Sequence, residues 1–138
     1  MSHTLYQTHT QYRRYHDTTA KPPKHAIFVF ATNSRGYHNT STSRTAVEAF
    51  GASMYQGHGL SGNSYAIPVW DSDGRPLRYS AYSTHIEQFI DHAKINNDRI
   101  FWLTDICGAI GIKLPIILDL FADAPMNCIF PSNWQKTY

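Results

Sequence analysis

Apolar residues first gather into an unbroken run at Ala26-Ile27-Phe28-Val29-Phe30-Ala31, the pattern of a strand buried on both faces of a sheet. A polar turn from Thr32 to Asn39 follows. Thr40 to Phe50 then reads as a short helix, opened by capping hydroxyls and closed by Gly51. Gly57 to Gly62 is a glycine-punctuated loop, and Ser64-Tyr65-Ala66-Ile67-Pro68 a strand that Pro68 ends or places at a sheet edge. Asp71 to Pro76 is a surface turn. Ile86, Phe89, Ile90 and Ala93 fall at i, i+3, i+4 and i+7, with Glu87, Gln88, Asp91 and Lys94 opposite them, so this segment predicts an amphipathic helix. Ile100 to Leu103 is a second buried strand and Thr104 to Gly111 its loop. Pro115 to Phe121 predicts a helix with Pro in its first turn, and Asn127 to Pro131 a closing strand. Strands alternating with helices predict a single α/β domain over residues 25–138, with a mostly parallel sheet and helices on its faces in three layers.

Residues 1–24 lack this periodicity and end in Lys21-Pro22-Pro23-Lys24, which predicts a polar N-terminal arm outside the core. Its Tyr12-Arg13-Arg14-Tyr15-His16 segment interleaves basic and aromatic groups, a pattern that would suit a nucleic acid or a partner subunit, and equally a basic tail.

Composition narrows the function. A chain of 138 residues with 42% hydrophobic and 16% charged residues is one folded domain. A net charge of +2 is too mild for the electrostatic footprint of a nucleic-acid binder. No apolar run approaches the roughly 20 residues of a membrane span, and the first residues lack a signal peptide's apolar stretch, so the expectation is cytoplasmic. Cys107 and Cys128 do not form a disulfide framework and are expected as free thiols. His85 and His92 lie seven apart with no H-x-x-x-H or C-x-x-C pattern anywhere, so neither a metal nor a cofactor is expected. The polar content is instead eight His, nine Tyr and many Ser, Thr and Asn, which suits a neutral hydrogen-bonding site.

In an α/β sheet ligands bind beyond the carboxyl ends of the strands, where helix starts offer free N–H groups. After the first strand stand Asn33, Gly36, His38, Thr40 and Ser41; after the Ile100 strand stand Asp105, Cys107, Gly108, Ala109, Ile110 and Gly111. Both loops have the makings of anion cradles, although glycine and asparagine at these places also serve ordinary turns. Neither is a dinucleotide fingerprint or a phosphate loop. His38 and His58, in glycine-bearing loops, would serve as acid and base or as phosphate donors, or simply as hydrogen-bonding histidines. Cys107 has no activating partner in the sequence, and no paired carboxylates stand out, so turnover has less support than binding and the question of an enzyme stays open.

These residues resemble a family of small uncharacterised bacterial and phage proteins. The shared elements are Phe28-Val29-Phe30-Ala31-Thr32-Asn33, Gly36-Tyr37-His38, Gly51-Ala52, Tyr55-Gln56-Gly57-His58-Gly59-Leu60, Ser64-Tyr65-Ala66-Ile67-Pro68, Leu103 to Gly111, and Asn127-Cys128-Ile129-Phe130-Pro131-Ser132-Asn133-Trp134. More remotely, the arrangement is similar to macrodomains, α/β modules that bind ADP-ribose. That resemblance implies that Asn33 holds ribose, that the segment from Gly36 to Ser41 and the Cys107 to Gly111 loop hold phosphate, and that His38, Gln56, Gly57 and Gly59 lie nearby. The macrodomain glycine cluster is replaced here by Asn39-Thr40-Ser41-Thr42-Ser43, so hydroxyls would stand in for close backbone contact. The implied function is binding of ADP-ribose or a related nucleotide. For a phage-encoded copy it extends to sequestering or degrading a nucleotide signal of host defence in the host cytoplasm. The alternative is a non-catalytic interaction module that keeps the fold without the ligand and associates with a partner or with itself.

Overall fold

The computed structural model describes residues 13–106 and 108–135. Six strands form its sheet: β1 (Tyr15–His16), β2 (Ile27–Asn33), β3 (Gly59–Ser61), β4 (Ser64–Trp70), β5 (Phe101–Leu103) and β6 (Cys128–Pro131), in the order β1-β6-β5-β2-β4-β3. Every neighbouring pair is parallel except β3 with β4. Three helices connect them: α1 (Ser41–Phe50), α2 (Tyr79–Ile95) and α3 (Leu114–Leu120). This is the α/β domain with a mostly parallel sheet that the alternating pattern predicts.

The continuous apolar run of β2 has its reason in the sheet's two covered faces. Ile27, Val29 and Ala31 join a cluster with Ile86, Phe89, Ile90 and Ala93 of α2 and Ile117 of α3. Phe28 and Phe30 join a second cluster with Ala46 of α1, and the Phe28 ring stacks on Phe50 at 4.3 Å. Alternate side chains of a strand point to opposite faces, so a central strand covered twice has no polar position to spare.

Two expectations are corrected, and of the two alternatives for Pro68 the edge position holds. The segment called an arm is partly built into the sheet: β1 pairs with β6, Arg13 lies over the Phe130 ring at 4.4 Å, and the His16 ring stacks on Trp102 at 4.1 Å. A two-residue edge strand carries no periodicity, so its sequence reads as coil. Residues 1–12, Tyr12 among them, lie outside the described residues. Pro68 does not end β4, which runs on to Trp70; β3 pairs only as far as Ala66, so Pro68 stands where that edge of β4 has no partner and its missing N–H costs nothing. The glycine loop itself contains β3, joined to β4 by a tight turn with Gly62 at φ +59°.

Among the described residues no helix is long and apolar enough to cross a membrane.

Candidate functional site

The topology creates a crevice between β2 and β5. These strands are neighbours, yet β2 leads into α1 on one face and β5 leads into the loop before α3 on the other. Connections that part to opposite faces open a cleft beyond the carboxyl ends of the two strands. Thr104 fixes its floor, because its amide and its hydroxyl both donate to Val29 O, at 3.0 and 2.7 Å.

The start of α1 forms one wall. Thr40 Oγ1 accepts from the Ser43 amide at 3.1 Å while Ser43 Oγ accepts from the Thr40 amide at 3.0 Å, a reciprocal capping box. The amides of Ser41 and Thr42 are the first two of the helix and have no intrahelical acceptor, so they carry the positive end of the helix dipole. Two adjoining hollows meet here. One, of about 300 Å³, is lined by Ala31, Thr40, Thr42, Trp70, Thr104 and Asp105. The other, of about 310 Å³, shares Thr42, Thr104 and Asp105 and extends under Phe28, Trp102, His16 and Pro22. A larger hollow of about 380 Å³ between α2 and α3 is lined by Glu87, Asp91, Asp119 and Asp123; four carboxylates make it the poorer place for a phosphorylated ligand.

Among the described residues Asp105 is the one carboxylate lining the two crevice hollows. Its Oδ1 accepts from Trp134 Nε1 at 2.7 Å and from the Gly108 amide at 3.2 Å, and its Oδ2 accepts from Asn133 Nδ2 at 2.9 Å. Three donors hold the carboxylate in one orientation, and about one lone-pair position remains for a ligand hydroxyl. Gly108 is required for this contact, because a Cβ there would fall inside the Asp105 carboxylate. Among the described residues no Lys or Arg lines the crevice, so an anion there relies on helix amides and threonine hydroxyls.

Of the residues singled out by sequence, Thr40 and Ser41 line the crevice. Gly108 shapes it through Asp105, and Ile110, in the 3₁₀ turn Gly108–Ile110 with Ala109, packs against the core. Gly111, at φ +74°, closes that turn onto Gly108 O. Cys107 lies outside the described residues.

The remaining candidates are brought together elsewhere and are used up. Asn33 closes its own loop: Oδ1 accepts from the Tyr37 amide at 3.0 Å and Nδ2 donates to Tyr37 O at 2.8 Å. Its amide is therefore committed to a turn and not presented to a ribose. His38 is buried; Nε2 donates to Ser53 O at 2.9 Å, so Nδ1 accepts from the Thr32 hydroxyl at 2.8 Å. Burial lowers its pKa, in keeping with a neutral bracing ring. Gly36 and Gly57 press two loops together backbone to backbone. A Cβ on Gly36 would overlap the Gln56 backbone, and one on Gly57 would sit 2.6 Å from Asn33 O. Gln56 Nε2 donates to Leu60 O at 2.9 Å, and Gly59 belongs to β3. His58 meets His85, not His38.

Thr42, one of the hydroxyls expected in place of the glycine cluster, lines both hollows, whereas Trp70, Thr104 and the side chains of His16 and Trp102 enter the crevice unannounced. The rule of strand ends points to Trp70 and Thr104, which close β4 and follow β5. Nothing local points to His16, whose place depends on β1 pairing at the far side of the sheet.

No family model matches the chain, and no curated protein matches it. Among solved structures, the chain is similar to a protein of Bacteroides thetaiotaomicron determined by X-ray crystallography as a structural-genomics target. The TM-score is 0.50 at 14% identity, covering 86% of this chain and 97% of that one. At that identity the likeness is one of fold.

Proposed function

We propose that the protein binds a phosphorylated nucleotide of the ADP-ribose class in the crevice between β2 and β5. The observation that carries this reading is the open start of α1 facing paired hollows at the point where the sheet's connections diverge. Phosphate oxygens would accept from the Ser41 and Thr42 amides and from the hydroxyls of Thr40 and Thr42. Sugar hydroxyls would donate to Asp105, which takes over the role the macrodomain resemblance gives to Asn33. Low charge in the lining fits a ligand that carries both acceptors and donors better than it fits inorganic phosphate alone. The reading is of binding. Cys128 offers no nucleophile, since burial pushes its thiol up to about 12.

Titration calorimetry with ADP-ribose, ADP, AMP and a cyclic dinucleotide tests it. Micromolar heats with at least one are expected, and Asp105→Asn should weaken that ligand at least about tenfold, because hydrogen bonds to a charged group carry about 1.5–3 kcal/mol. Absence of heat with all four sinks the reading. Recovery of the ligand intact after denaturation would mark sequestration, and its loss would mark breakdown.

A second reading, an interaction module, draws on exposed Tyr37 and Tyr55, whose rings lie near-parallel at 6.3 Å beside exposed Met54. It predicts self-association, seen by light scattering, that Tyr37→Ala abolishes while nucleotide binding stays.

A further inference from the structure

His58 and His85 are 27 positions apart, with no ligand-spacing motif to connect them, yet the fold sets their rings 5.2 Å apart at a tilt of 49°. Two imidazoles that share one metal at nitrogen distances of about 2.0–2.1 Å and a tetrahedral angle have ring centres about 5.2 Å apart. The Nδ1 of His85 is buried and has no hydrogen-bond partner among the described residues. A buried, unpartnered ring nitrogen is costly unless something satisfies it.

We propose that His58 and His85 form a two-imidazole site for a divalent first-row transition metal, zinc being the probe of choice. Two elements present the pair, the loop before β3 and the first half of α2. Among the described residues no cluster of three or more His, Cys, Asp or Glu side chains able to hold a metal occurs. The remaining coordination positions would have to be filled by water or a small donor ligand from the side of exposed His58, one protein ligand fewer than the three of catalytic zinc sites. Occupancy would tie the β3 hairpin to α2 and stabilise the fold in proportion to metal concentration.

The test uses the full chain, zinc chloride and three variants: His58→Gln, His85→Gln and His92→Gln. The expected result is a concentration-dependent rise in melting temperature with zinc, reversed by chelator. Calorimetric affinity should fall at least about tenfold in each of His58→Gln and His85→Gln, since loss of a ligand costs no less than loss of its supporting partner, and stay unchanged in His92→Gln. Proton NMR should show the ring signals of His58 and His85 shifting together on addition of zinc. His58 is exposed, so its variant folds even if that of His85 does not. No zinc-dependent shift, or zinc binding that survives in His58→Gln, overturns the site.

Discussion

Two regions follow the carboxyl end of β2, and they spend their hydrogen-bonding groups in opposite ways. The junction of residues 33–38 with residues 53–57 holds Asn33, Gly36, His38 and Gly57, and there the side chains of Asn33 and His38 are spent on neighbouring groups while the two glycines press backbone on backbone. The crevice a few residues further on is plainer in sequence, with threonines, one aspartate and a helix start, and it leaves donors and acceptors free. Asparagine, glycine and histidine at a strand end mark chemistry in a sequence because they can reach a ligand. The first region shows that the same reach serves equally to lock two loops together. What separates a binding region from a structural one is which hydrogen-bonding capacity is left over, and that depends on tertiary partners.

The sharpest way to break the contrast is Gly36→Ala. Gly36 sits at φ +70°, and a Cβ there would collide with backbone that cannot step aside. Left-handed strain of about 1–2 kcal/mol and overpacking of about 1–3 kcal/mol together predict a loss of about 3 kcal/mol or more in urea unfolding. Nucleotide affinity per folded molecule should be unchanged. A variant that keeps its stability but loses its ligand would move the site into this junction.

Acid provides a milder test. His38, His85 and His92 all have pKa values lowered below 6.5, each mainly by burial. Between those folded values and 6.5 the unfolded chain binds more protons than the folded one, so stability rises with pH across that window. The contribution is fully present above about 6.5 and is lost as pH falls through the folded values. Urea unfolding at pH 7.5 and 5.5 should show the drop, and His38→Gln, destabilised at both, should show a smaller one. An unchanged pH slope in that variant would mean that His38 is not the neutral brace between Thr32 and Ser53.

The fold was largely legible in the sequence because its signals are local. The continuous run of β2, the 3.6-residue period of α2 and the Pro at the start of α3 each state their own structure. β1 and β3 were not legible, since two- and three-residue edge strands exist only through their pairing with β6 and β4. The crevice was half legible. Thr40 and Ser41 declare themselves as a helix start, and Asp105 as part of a loop after a strand. That Asp105 is oriented by Asn133 and Trp134 is a contact across nearly thirty residues, which no spacing rule reaches. Asn33 and His38 misled for the converse reason: their sequence context is that of a ligand site, but Asn33 is spent on Tyr37 of its own turn and His38 on Thr32 and Ser53.

The smallest perturbation bears most directly on the comparison. Thr42 is exposed on the first turn of α1, its side chain makes none of the capping bonds, and it lines both hollows. Thr42→Ala removes a hydroxyl from a surface helix position without touching Thr40 or Ser43, so unfolding stability should stay within about 0.5 kcal/mol. Nucleotide affinity should nevertheless fall by about 1 kcal/mol, the value of one neutral hydrogen bond. Gly36→Ala thus predicts lost stability with binding retained, and Thr42→Ala the reverse. A Thr42 variant that loses neither would leave the helix start a capped helix end and nothing more, since the hydroxyl nearest the free amides would then be making no contact with the ligand.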